Sequence, residues 1–445
     1  MQEKPLRLVT VEPPQPTPPH SREGSGATPP PQWGRLGGGE QLLRLYLSIA
    51  FFSLLVAATT GSLLRFGLGW GMPEWATNYT AMRHAHSHLM YFGWATLALM
   101  TLIWHFLARQ TGRALPPSVH WQMGISAFFA LLSFPAFWLN GYGLTQIGPV
   151  SLPLGSIIAT LNGLTWFYFA WLYRRESRLL VARSLPVQLW DWAILLLLLS
   201  AGGALGLVAM IVTGANSLFL QQAFLHLFLD LFAVGWFTMA LLGVLWAWLA
   251  ERAALPRRLP ILPLALAIAP TFFLGLSPAL LPPPLFWVSA LANGLAGLLI
   301  FWHIGALLGR WNHLPWLARF GVAMLGVHGL MALVVLWPGV WAWGAGTQLR
   351  VYFLHNLLLG WLSSLLLALA VDQLGLGRER LLGWLGWVWI GGVGLMLLCL
   401  LGLGLLAFVP FSTLSLLRVA AWSSLIPVAV ALAVFLLAVV GRQKS

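Results

Sequence analysis

Three stretches of this sequence carry side chains able to ligate a metal or move a proton within an otherwise apolar chain. The first holds His84, His86 and His88; the second holds His226 and Asp230; the third is His355. On an α-helix, residues two apart point to nearly opposite sides, about 200° around the axis. His86 and His88 therefore cannot easily chelate one ion, but each could face a different cofactor. His84 and His88 are one turn apart and could share a site. His88 and His355 could clamp a planar cofactor between two helices: iron held by two neutral imidazoles needs facing helices and a dry pocket. His226 and Asp230 are also one turn apart, so the carboxylate could orient the imidazole. Proton relay is the alternative use of Asp230.

Plainer roles compete with these. His303 and His328 read as histidines hydrogen-bonded to a neighbouring helix. His105, His120 and His313 read as interfacial, and His84 as structural at the membrane edge. The single cysteine, Cys399, lies in an apolar run and reads as a buried, inert thiol.

The elements that carry these residues follow from composition. The chain is 445 residues long, 59% hydrophobic and only 8% charged, where a soluble domain has about a quarter of its residues charged. Apolar runs of about 20 residues, long enough to cross the hydrocarbon as helix, recur between short polar breaks. They lack the alternation of a closed barrel. The fold class is therefore all-α: a polytopic membrane bundle of about twelve helices, at 41–65, 83–109, 119–140, 147–173, 188–212, 219–250, 260–277, 283–308, 316–338, 349–373, 381–408 and 413–440. Pro263 and Pro270 make 260–277 the weakest span. Residues 1–40, rich in Pro and Gly, read as a disordered cytoplasmic tail with no cleavable signal peptide, ahead of a transmembrane domain at 41–440.

The net charge of +13 does not indicate nucleic acid, because the arginines sit at helix ends. Alternate loops are rich in them (Arg174, Arg175, Arg178 and Arg183; Arg252, Arg257 and Arg258), while the opposite face has only Arg65, Arg83, Arg350 and Arg418. The positive-inside rule then puts both termini in the cytoplasm, with the lipid bilayer of a cell inner or plasma membrane as partner.

A signature repeats every fourth span. His88 precedes Gly93-Trp94, Asp230 precedes Gly235-Trp236, and His355 precedes Gly360-Trp361, at one spacing. Twelve spans thus divide into three four-helix arcs. The three polar residues share one level, on the order of 10 Å deep, where polar side chains are costly and face the bundle interior.

At these residues the chain resembles subunit I of the haem-copper oxidase superfamily. His86-Ser87-His88 followed by Gly93-Trp94 is similar to a cbb-type motif, found there on helix 10 rather than helix 2. The resemblance implies three four-helix arcs, with His88 and His355 holding a low-spin haem and His226 as a copper ligand. It also implies that Arg418 and Arg350 meet haem propionates. The implied function is redox: reduction of O2 or NO with electrons from quinol or cytochrome c, among other respiratory-complex subunits. The chain departs from that family in lacking a histidine pair on the seventh span, and in having Phe353 where a second haem ligand would lie. The NnrS-like nitric-oxide-response proteins, similar in layout, imply haem without oxidase turnover. A proton-coupled transporter using Asp230 and His226 is the reading from a different class.

Overall fold

The computed structural model describes residues 37–76, 78–376, 379–407 and 413–440. The predicted tail lies almost wholly outside them. The contacts divide the chain between Gly37 and Gly38, and the helical bundle is the second unit.

Its long helical rods are α1 (Gly37–Trp70), α2 (Tyr79–Thr111), α3 (Pro117–Asn140), α4 (Leu154–Ser177), α5 (Leu185–Thr213), α6 (Leu218–Ala250), α7 (Ile261–Gly275), α8 (Pro283–Leu308), α9 (Trp316–Val334), α10 (Leu349–Leu374), α11 (Glu379–Leu405) and α12 (Leu414–Val440). Among the described residues, 10 of them are long and apolar enough to cross a membrane. The chain is an all-α, multi-pass membrane protein.

Local chemistry sets the ends. Asn78 caps α2 by accepting from the Ala81 N–H at 3.0 Å, and Ser217 caps α6 by accepting from Leu220 at 3.3 Å. Gly112 and Gly375 close α2 and α10 in the left-handed region, at φ 65° and 56°.

Three expected spans are trimmed. Helix α4 begins at Leu154, because residues 145–152 form a hairpin (β1 Thr145–Ile147, β2 Val150–Leu152) turning at Gly148, whose φ is 59°. Pro149 within that turn and Pro153 before the helix oppose continuous helix there. Helix α9 stops at Val334, and Pro338 opens a separate short helix, Pro338–Gly346, with Trp337 before it extended. Helix α7 turns from α to 3-10 at Ala269, beside Pro270. Its 15 residues reach roughly 25 Å, short of the ~30 Å hydrocarbon core.

Helices α2, α6 and α10 form the interior. Of their apolar windows 89%, 72% and 72% are buried, against 33–61% in the other qualifying spans. They touch one another in the half of the bundle beyond their Gly-Trp pairs, so the helices that carry the repeated signature are the central ones. Each switches from α to π turns immediately after the repeated polar residue: Leu89–Thr96 after His88, Leu231–Phe237 after Asp230, Asn356–Ser363 after His355. π turns are rare and concentrate at functional sites. Each signature glycine also lies against the helix before it. A Cβ on Gly93 would meet Ser53 of α1 at 2.7 Å, one on Gly235 would meet Leu196 of α5 at 3.2 Å, and one on Gly360 would meet Met324 of α9 at 2.9 Å. The same packing at α1/α2, α5/α6 and α9/α10 gives the four-helix period a physical basis.

Candidate functional site

Helix α1 presents Ser53, Ala57, Gly61, Arg65 and Gly69 at a spacing of four, a stripe of small residues interrupted by one arginine. Small residues at that spacing let helices approach closely, and His86 of α2 uses the approach. Its Nδ1 lies 2.7 Å from the Ala57 carbonyl oxygen. A Cβ on Gly61 would come within 2.7 Å of the imidazole Cε1, so the ring occupies space that only glycine leaves free. On α10, His355 Nδ1 lies 2.7 Å from the Val351 carbonyl oxygen.

A carbonyl only accepts, so in both neutral rings the proton belongs on Nδ1 and the lone pair on Nε2; this tautomer is assigned from the hydrogen-bond network. Neither Nε2 has a hydrogen-bond partner among the described residues. His86 is the eighth residue of α2 and His355 the seventh of α10, so both sit about 10 Å along their helices. The two imidazoles lie within electrostatic reach of each other and of the Arg65 guanidinium, which donates to the Gly61 carbonyl at 3.3 Å. All three side chains are partly buried.

His88 faces the other way. Its Nδ1 bonds the His84 carbonyl at 2.8 Å, its Nε2 meets the Tyr142 hydroxyl at 3.1 Å, and its ring stacks on Phe137 at 3.7 Å. Phe92, Trp166 and Phe232 extend this aromatic block toward α4 and α6. The Tyr142 ring is half exposed, but burial of its hydroxyl end pushes its pKa up to about 12, so it stays a donor. His86, rather than His88, is the helix α2 imidazole within electrostatic reach of His355. His84 sits against Tyr142, with ring centroids 4.8 Å apart, and the same tyrosine's hydroxyl meets His88 Nε2.

The second cluster joins α6 and α10. His226 Nδ1 lies 3.1 Å from Asp230 Oδ2, and Arg350 Nη2 donates to His226 Nε2 at 3.1 Å. Gly275 at the end of α7 leaves room for the ring: a Cβ there would fall 2.0 Å from Nδ1. With both nitrogens engaged, His226 is directed to an acid and a cation. No group of three or more His, Cys, Asp or Glu able to hold a metal occurs among the described residues.

Arg418 Nε donates to the Gly69 carbonyl at 3.4 Å, with its guanidinium 5.2 Å from the Trp70 ring centre. It fastens α12 to α1 one turn beyond Arg65. Cys399 is buried, as expected. His303 and His328 were expected to bond a neighbouring helix. His303 instead has neither nitrogen paired among the described residues. His328 has its Nδ1 unpaired and its ring against Phe353 at 4.8 Å.

Arg65, Gly61, Tyr142 and Gly275 are the site residues that sequence reasoning missed; the stripe on α1 was the legible signal for the first two. It also missed a hydroxyl in each repeat, two residues after the tryptophan: Thr96, Thr238 and Ser363. Trp94 Nε1 donates to Ser363 Oγ at 2.9 Å, tying α2 to α10 just inside the two imidazoles. No family model matches this sequence, and no curated protein matches it.

Proposed function

We propose that this chain is a haem-binding redox protein of the membrane, in which His86 and His355 would hold the haem. One observation carries the reading: two imidazoles from different central helices, at one depth, each hold Nδ1 on a main-chain carbonyl and leave Nε2 free. That is the tautomer a metal requires, fixed by a partner behind each ring. The flanking residues suit the group as well. Arg65 supplies a cation beside the rings for acidic substituents, with Arg418 one turn nearer the membrane edge. Bound there, haem supplies one-electron chemistry.

This chain's own part is to orient both rings and to hold α2 and α10 in register through the Trp94–Ser363 bond. Were both histidines to hold the haem, it would supply electron transfer rather than reduction of O2 or NO. Because His226 is engaged on both nitrogens, copper is not part of the reading. The arginine distribution orients the site toward the outer half of an inner or plasma membrane, with both termini cytoplasmic. A quinol or a cytochrome is the electron donor in this scheme.

The test is the optical spectrum of protein purified after haem-sufficient expression. A low-spin bis-imidazole spectrum is expected, absent in His86→Ala and in His355→Ala and kept in His88→Ala. A colourless wild-type protein would reject haem and favour the transporter reading built on Asp230 and His226.

A further inference from the structure

The cluster on α6 and α10 is a chain of proton-bearing groups running inward from the membrane edge. Arg350, at the start of α10, is exposed. Its guanidinium meets His226 Nε2 at 3.1 Å, and His226 Nδ1 meets Asp230 Oδ2, also at 3.1 Å, one turn deeper on α6. The His226 side chain is 6% accessible and that of Asp230 25%, so the imidazole is the most buried member of the chain and bridges the cation and the carboxylate. Tyr91 of α2 lies within electrostatic reach of Asp230.

No other charge competes at this point among the described residues packed on the cluster. The Ala269–Gly275 segment of α7 carries no titratable side chain. The one such group of α5, Asp191, lies near that helix's other end, 3.0 Å from the Tyr173 hydroxyl and 3.4 Å from Arg183.

We propose that Arg350, His226 and Asp230 form an outward-facing proton-uptake site, gated by Arg350. Arg350 can only donate, so His226 Nε2 accepts and Nδ1–H donates to Asp230. When Arg350 swings aside, a proton from the outer water binds Nε2. The imidazole then releases its Nδ1 proton to the Asp230 carboxylate. One proton enters, one is passed on, and the ring returns to neutral as the other tautomer. The site needs no cofactor, so it stands or falls independently of the haem reading.

The test uses infrared spectroscopy of the full chain in lipid, in wild type and in the haem-free His355→Ala variant, over about pH 4 to 9. A protonated-carboxyl C=O band that vanishes in Asp230→Asn is expected, and it should shift in frequency in Asp230→Glu. Removing the gate in Arg350→Gln should speed hydrogen–deuterium exchange of that band about tenfold. Losing the relay in His226→Leu should slow hydrogen–deuterium exchange of that band about tenfold, a barrier increase of ~1.4 kcal/mol. A carboxyl band that survives Asp230→Asn, or no such band at all, would overturn the site. An unchanged exchange rate in Arg350→Gln would overturn the gate, and unslowed exchange in His226→Leu would overturn the relay. Should Asp230→Asn fail to fold, Asp230→Glu carries the assignment.

Discussion

Two faces of α2 carry the same kind of side chain to opposite ends. His86 packs against α1, with one nitrogen on the Ala57 carbonyl and the other without a partner among the described residues. His88, two residues on, has both nitrogens bonded and its ring laid on Phe137. The imidazoles are chemically identical; what differs is the wall each one meets. Helix α1 offers Gly61 and Arg65, which make space and charge. The α3 side offers Phe137 and Tyr142, which fill space and satisfy the ring. A histidine's availability as a ligand is therefore set by its neighbours' volume and donors.

The sharpest way to break this contrast is a pair of substitutions. His86→Ala should abolish the haem spectrum and leave the thermal stability of the apoprotein near that of wild-type apoprotein. His88→Ala should keep the spectrum and lower stability by about 2 kcal/mol through lost stacking and a cavity. If both variants behaved alike, the two faces would not differ in function. Next in size is Gly61→Leu: the added atoms would push the His86 ring off Ala57, with haem affinity falling about tenfold, or ~1.4 kcal/mol, in a haem titration of apoprotein. Arg65→Gln, which keeps the volume and removes the charge, should weaken binding roughly fivefold, about 1 kcal/mol.

The smallest effect belongs to Tyr142→Phe, which leaves His88 Nε2 unpaired at a cost of about 1 kcal/mol and leaves the colour untouched. The native Tyr142 hydroxyl holds its proton to about 12, above its ordinary value of about 10. The folded state thus binds this proton more tightly than the unfolded one. Its contribution is complete below about pH 10 and fades as pH climbs toward about 12. A melting series in alkaline buffer, wild type against Tyr142→Phe, measures the difference.

Much of the scaffold was legible because hydrophobic length is a one-dimensional property. The rods, the break at Pro263 and Pro270, and the signature on α2, α6 and α10 all follow from composition and spacing. The hairpin at Thr145–Leu152 was hidden because its apolar residues merge with the following helix. The choice between His86 and His88 was not legible, since it depends on the rotation of α2 against α1 and on a tyrosine contributed by the loop after α3. Alignment on Gly93-Trp94 points to His88 by register, whereas the space left by Gly61 is filled by His86. The π turns were invisible as well: a switch in main-chain hydrogen bonding leaves no residue period behind. Arg65 was noticed only as one of the few basic residues on the outer face.

The thrice-used π segment has a consequence for engineering. Gly, Trp and the hydroxyl recur at positions 93, 94 and 96, at 235, 236 and 238, and at 360, 361 and 363, while the side chain just ahead varies: His88, Asp230, His355. The frame and its cargo are thus separable. Each inner helix is a socket that accepts a different reactive group without altering the joint below it, so the bundle is a template on which one wall can be refitted while the other two keep their chemistry.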